Sequence, residues 1–109
     1  MTAFCCSGRI VFELARRYGV RIEYADLGVW GEAELRSEYD PQGPVIRLNT
    51  RIIEKLPSKT VEAFIAFAIA HELYHHREYC GEVPYHCERA ARERAANRFA
   101  QDLLAESNR

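Results

Sequence analysis

The chain has 109 residues, 48% of them hydrophobic and 28% charged, which is the size and balance of an ordinary globular domain with a real core. Fifteen basic side chains against sixteen acidic ones leave a formal net charge of −1, so neither a basic nucleic-acid surface nor a polybasic membrane face is expected. The longest apolar run, Ala63 to Ala70, is too short to span a bilayer, and "MTAFCCSGRIVFELARR" lacks the charged start and sustained apolar stretch of a secretory signal.

The expectation is therefore one domain over residues 1–109, in the cytoplasm, with no membrane partner and no direct nucleic-acid partner. The four cysteines then read as free thiols in a reducing compartment, with Cys5 and Cys6 as two buried thiols of a first helix.

In chain order, Ile10, Val11, Leu14 and Tyr18 recur at helical spacing, and Gly19 stops that helix. "VRIEYA", Val20 to Ala25, alternates with period two as a half-buried strand does. "WGEAELRSEY", Trp30 to Tyr39, alternates more weakly and reads as an edge strand. The turn "DPQGP" joins it to "VIRLN", so the two strands pair as a hairpin. A short helix over Thr50 to Leu56 ends at Pro57, and Ser58 is placed to cap a long helix running to about Arg77. That helix is apolar all round in its middle, the pattern of burial on most faces. Gly81 and Pro84 break the chain before a last helix, about His86 to Ala105. Ala90, Ala91, Ala95, Phe99, Leu103 and Leu104 are the candidates for its packed face. The fold class is α+β: an N-terminal helix, a small antiparallel three-stranded sheet, a buried helix and a C-terminal helix.

The chemistry concentrates in "AHELYHH", where His71, Glu72 and His75 spell HExxH. Residues four apart on a helix lie about 40° apart around the axis and about 6 Å along it, so both imidazoles can reach one ion. Glu72 is rotated by about 100° from His71, which removes it from the ligand set and frees it to act as a base on water. A catalytic zinc needs a third protein ligand. Glu93 on the next helix is the choice, with Glu88 as runner-up. Asn97, one turn beyond Glu93, is placed to hydrogen-bond a ligating histidine from behind. Tyr79, Tyr85 and His86, in or beside the loop between the two helices, are the candidates for oxyanion stabilisation.

"FAIAHELYHH" followed by "ERAANRFAQDLL" resembles the ImmA/IrrE-type metallopeptidases, bacterial and phage gluzincins. The residues that carry the resemblance are Phe67, Ala70, His71, Glu72 and His75, then Glu93, Ala96, Asn97, Phe99, Ala100, Leu103 and Leu104. The resemblance implies a minimal zincin-like catalytic domain in which His71, His75 and Glu93 bind Zn2+ and Glu72 is the catalytic base. It also implies a protein substrate, a transcriptional repressor or other regulatory protein, cleaved at a peptide bond. Tyr74 stands where a glycine is common, which is expected to narrow the cleft, and Ala95 replaces a frequent second glutamate. The chain also stops soon after "DLL", before the proline and regulatory region that many members carry.

Two alternatives stand beside the peptidase. One is a structural zinc site drawn from His75, His76, Cys80, His86 and Cys87, although Cys80 and Cys87 lack the tight spacing of such sites. The other is a zinc-stabilised interaction protein that binds a repressor without cleaving it.

Overall fold

The computed structural model describes residues 6–30 and 33–107. Cys5 lies outside the described residues, as does the side chain of Cys6, and with them the expected pair of buried thiols. The first helix, α1 (Cys6–Tyr18), ends where expected. Gly19 takes a φ of 71°, its N–H donates to the Arg16 carbonyl (3.0 Å), and Val20 N–H donates to the Ala15 carbonyl (2.9 Å). This pair of bonds is the Schellman motif, and its left-handed residue favours glycine.

Among the described residues five strands follow: β1 (Arg21–Ala25), β2 (Val29–Trp30), β3 (Ala33–Glu34), β4 (Ser37–Asp40) and β5 (Val45–Asn49). The stretch read as one strand over Trp30–Tyr39 is divided. β2 and β3 pair only with each other, and β4 alone joins the main sheet, at its edge. Gly31 and Glu32, between β2 and β3, lie outside the described residues. The main sheet has the order β1-β5-β4. The β4–β5 hairpin is antiparallel, as expected, but β1 runs parallel to β5, with Arg21 opposite Val45, so the sheet is mixed rather than antiparallel. Alternation reveals which residues of a strand face the core, not which strand lies beside it. The chain leaves β1, crosses to the far edge and returns to fill the gap with β5. Arg47 in this central strand reaches Glu38 (2.9 Å), Asp40 (3.4 Å) and Glu23 (3.5 Å), tying both neighbours to it on one face.

Three helices complete the described residues: α2 (Thr50–Lys55), α3 (Ser58–Tyr79) and α4 (Arg89–Ser107). Ser58 is the first helical residue of α3 rather than its cap. Pro57 holds that position, and its carbonyl accepts from both the N–H and the hydroxyl of Thr60, each at 2.9 Å. At the other end α3 runs past the expected Arg77. Gly81, with φ 81°, repeats the Schellman pattern: its N–H donates to the Glu78 carbonyl (3.1 Å), and Glu82 N–H donates to the Arg77 carbonyl (2.8 Å). Glu78 is thereby kept inside the helix.

The core forms around α3. Ile69 and Leu73 are wholly buried, together with Ala66, Ala68 and Ala70, Val11 and Ala15 of α1, Ile46 and Leu48 of β5, and Ala100 of α4. Each large aliphatic side chain so buried contributes about 1.5–3 kcal/mol. α4 turns Ala96 and Ala100 inward, with Phe99, Leu103 and Leu104 partly buried, whereas Ala90 is exposed. In "ERAARERAANR" alanines occur on more than one face, so only contact with α3 distinguishes the packed ones. Among the described residues no helix is long and apolar enough to cross a membrane.

Candidate metal centre

α3 and α4 pack side by side, and this brings the HExxH turn of one against Glu93 of the other. His71 and His75, one turn apart, place their Nε2 atoms 3.3 Å from each other. The Glu93 carboxylate caps both, with Oε1 3.1 Å from His71 Nε2 and Oε2 3.1 Å from His75 Nε2. One ligand atom from each of the three lies within 4.8 Å of the others, so His71, His75 and Glu93 form a group able to hold a metal ion. The histidine side chains are mostly covered, at 15% and 18% exposure, whereas Glu93 is 45% exposed, so solvent reaches the centre from the α4 side.

The outer ring nitrogens are also engaged. Asn97 Oδ1 lies 2.8 Å from His71 Nδ1, the position anticipated from its spacing to Glu93. Glu78 Oε1 lies 2.9 Å from His75 Nδ1. Asn97 and Glu78 thus meet the Nδ1 side of each ring, while both Nε2 atoms face the Glu93 carboxylate.

Glu72 is turned about 100° around the helix from His71, toward β4. It is 7% exposed, and its Oε2 accepts from the Ser37 hydroxyl at 2.7 Å. Burial pushes the Glu72 carboxyl up from the ordinary carboxylate range. The Ser37 hydroxyl and the two imidazoles pull against that rise, and Glu93 adds to it. Glu72, His71, Glu93 and Asn97 sit at one end of a cleft of about 600 Å³. One wall is Leu35 to Ser37, at the entry to edge strand β4; the other is the α3 face carrying Thr60, Ala63, Phe64 and Phe67. Asn49 builds the first wall. Wholly buried, it donates from Nδ2 to the Leu35 carbonyl (2.6 Å) and from its own N–H to the Arg36 carbonyl (3.1 Å). Its Oδ1 accepts from Leu27 N–H (3.1 Å) and Arg51 N–H (3.0 Å), capping α2.

The three candidates for oxyanion stabilisation are not among the residues that line this cleft. Tyr79 is 67% exposed and meets the Tyr39 ring edge-on. Tyr85 is 66% exposed beneath the Arg92 guanidinium. His86 is exposed, and its carbonyl accepts from Arg92 at 2.7 Å. Tyr74 does not narrow the cleft either, because it is buried against Phe99.

The cysteine-containing alternative is likewise not gathered. His76 is buried between Tyr18 and Tyr39, with Nδ1 2.6 Å from Tyr39 Oη and Nε2 3.4 Å from Cys80 Sγ. Both its nitrogens are thus committed away from His71 and Glu93, and Cys80 and Cys87 are exposed free thiols.

Three residues of the site escaped sequence reading. Glu78 follows His75 at i+3, a helical spacing that could have been noticed. Ser37 and Asn49 reach the site only through the sheet, and nothing in their local sequence announces it. Compared with known protein families, curated proteins and solved structures, the chain matches none.

Proposed function

We propose that this chain is a zinc-dependent metallopeptidase that hydrolyses a peptide bond in a repressor or other regulatory protein, acting in the cytoplasm and related to the ImmA/IrrE-type enzymes it resembles. The observation that carries the proposal is the convergence of His71 Nε2, His75 Nε2 and the Glu93 carboxylate beside Glu72, at the end of a cleft. Two imidazoles and one carboxylate are the donor set of a catalytic zinc with an open fourth position. Bonds of about 2.0–2.1 Å to a tetrahedral centre imply donor separations of about 3.3–3.4 Å. The 3.3 Å between the two Nε2 atoms matches that spacing, and each of them lies 3.1 Å from a different oxygen of Glu93.

When bound, zinc supplies Lewis acidity, polarising a carbonyl and making a water acidic near neutral pH. The chain's own part is to hold the substrate and move the proton. An extended peptide adds to the free edge of β4 along the Leu35–Ser37 wall and lays its scissile bond at the end of the cleft. Glu72, kept in place by Ser37, takes the proton of the attacking water on its carboxylate and passes it to the leaving amine nitrogen. The apolar α3 wall takes up side chains beside that bond and displaces water from it.

Metal analysis of the purified protein beside Glu93→Ala, and incubation of Glu72→Gln with candidate repressors, test this reading. The expected result is one zinc per wild-type chain, loss of zinc in Glu93→Ala, and retained zinc with abolished cleavage in Glu72→Gln. Zinc bound equally by wild type and Glu93→Ala would reject the site. Zinc bound as described without zinc-dependent fragments from any repressor would replace the peptidase with a zinc-stabilised binding module.

A further inference from the structure

We infer that Glu78 is a positioning residue for the metal centre: it holds His75 in the one tautomer and ring orientation that present Nε2 to the ion. The inference rests on the metal centre proposed above and extends it to a residue outside the HExxH and Glu93 set.

Glu78 occupies an unfavourable place. Its side chain is only 3% exposed, and it lies in the last turn of α3, where the helix dipole disfavours negative charge. Its Oε1 is 2.9 Å from His75 Nδ1, and among the described residues its buried Oε2 has no hydrogen-bond partner. A carboxylate buried at the negative end of a helix, with half its hydrogen-bonding capacity unused, is costly. Packing alone would be served as well by leucine or glutamine. The feature that only a carboxylate supplies is a charged acceptor on Nδ1, which leaves the Nε2 lone pair free and makes it a stronger donor toward a cation.

The backbone assists. Gly81 delays the end of the helix until Tyr79, so Glu78 stays one turn from His75 and on its face. A helix ending at Arg77 would release Glu78 into the loop and leave the His75 ring free to turn.

The test compares wild type, Glu78→Gln and Glu78→Leu. Zinc affinity is measured by competition with a chromophoric chelator, and the histidine tautomers of the metal-free proteins are read from ring ¹⁵N chemical shifts at pH 8. Glutamine keeps an acceptor but removes the charge, so Glu78→Gln is expected to bind zinc about 10-fold more weakly with the His75 tautomer unchanged. Leucine removes both, so Glu78→Leu is expected to bind about 100-fold more weakly, with His75 shifted toward the Nε2–H form. If Glu78→Leu does not fold, the isosteric glutamine variant decides alone. Wild-type affinity in a folded Glu78→Gln, or an unchanged tautomer in a folded Glu78→Leu, overturns the inference while leaving the metal centre intact. A wild-type protein that binds no zinc overturns the metal centre itself, and the inference falls with it.

Discussion

Ser37→Ala is the most informative single change outside the ligands. It deletes the 2.7 Å bond from the Ser37 hydroxyl to Glu72 Oε2, and both residues are largely buried. A hydrogen bond to a charged group contributes about 1.5–3 kcal/mol. Glu72 lines the cleft, so water can partly replace the lost hydroxyl, and the lower figure applies. If that interaction positions the base, about 1.5 kcal/mol lost in the transition state slows turnover about tenfold. Ser37 bonds none of the three ligands, so zinc content and zinc affinity should not move. The assay is steady-state cleavage of a peptide taken from a confirmed zinc-dependent fragment, with kcat and KM separated and thermal melts alongside. Ser37→Thr keeps the hydroxyl on a strand that tolerates β-branching and should restore most of kcat. A folded Ser37→Ala with kcat within about twofold of wild type refutes the positioning role, since it forgoes the tenfold loss expected from the bond. A drop in zinc affinity refutes the assumption that Ser37 acts only through Glu72.

If the group holds zinc, removing the metal should destabilise the whole domain, since α3 and α4 would share the ion. With zinc at about 100-fold over its dissociation constant, chelation should remove about 2.7 kcal/mol and lower the melting temperature by about 10 °C, read by calorimetry with and without chelator. Cys80→Ser combined with Cys87→Ser should retain full zinc content, because both thiols are exposed and His76 is committed to Tyr39 and Cys80; lost metal would restore the structural-site alternative. Ile69→Ala should cost about 2–5 kcal/mol in chemical denaturation, since Ile69 is wholly buried in the core and the cavity cannot be refilled from solvent. Asp26 accepts from Arg51 Nε (2.6 Å) and Gly28 N–H (2.9 Å), and the Arg51 bond above all holds its carboxyl below the usual range. A carboxyl lowered in the folded state contributes stability that is present above its unfolded value and lost as pH falls through the folded one. Asp26→Asn should therefore flatten the acid side of the stability profile, measured as the urea midpoint against pH.

The pairing of His71 with His75 was legible because a helix is a ruler. Spacing of four residues places His71 and His75 on one face and rotates Glu72 off it, whatever the helix packs against. Asn97 was legible for the same reason once Glu93 had been chosen. Glu78 lay within reach of that ruler but beyond the expected end of the helix. Its membership in α3 depends on the left-handed residue Gly81, two positions after the helix ends. The oxyanion candidates were chosen by proximity in sequence, and they do not line the cleft. Tyr85 and His86 sit in a loop whose course is set by Arg92, a contact no local pattern encodes.

Periodicity by itself located the helices, the strands β1 and β5, and the helix face shared by His71 and His75, because these follow from local backbone geometry. The tertiary structure alone decided that β1 lies parallel to β5, that Ala96 and Ala100 are the buried alanines of α4, and that Ser37 reaches Glu72 across 35 residues of chain. Each of those outcomes depends on which surfaces meet. Neighbouring surfaces are selected by the summed burial of the whole core, and no short stretch of sequence carries that sum.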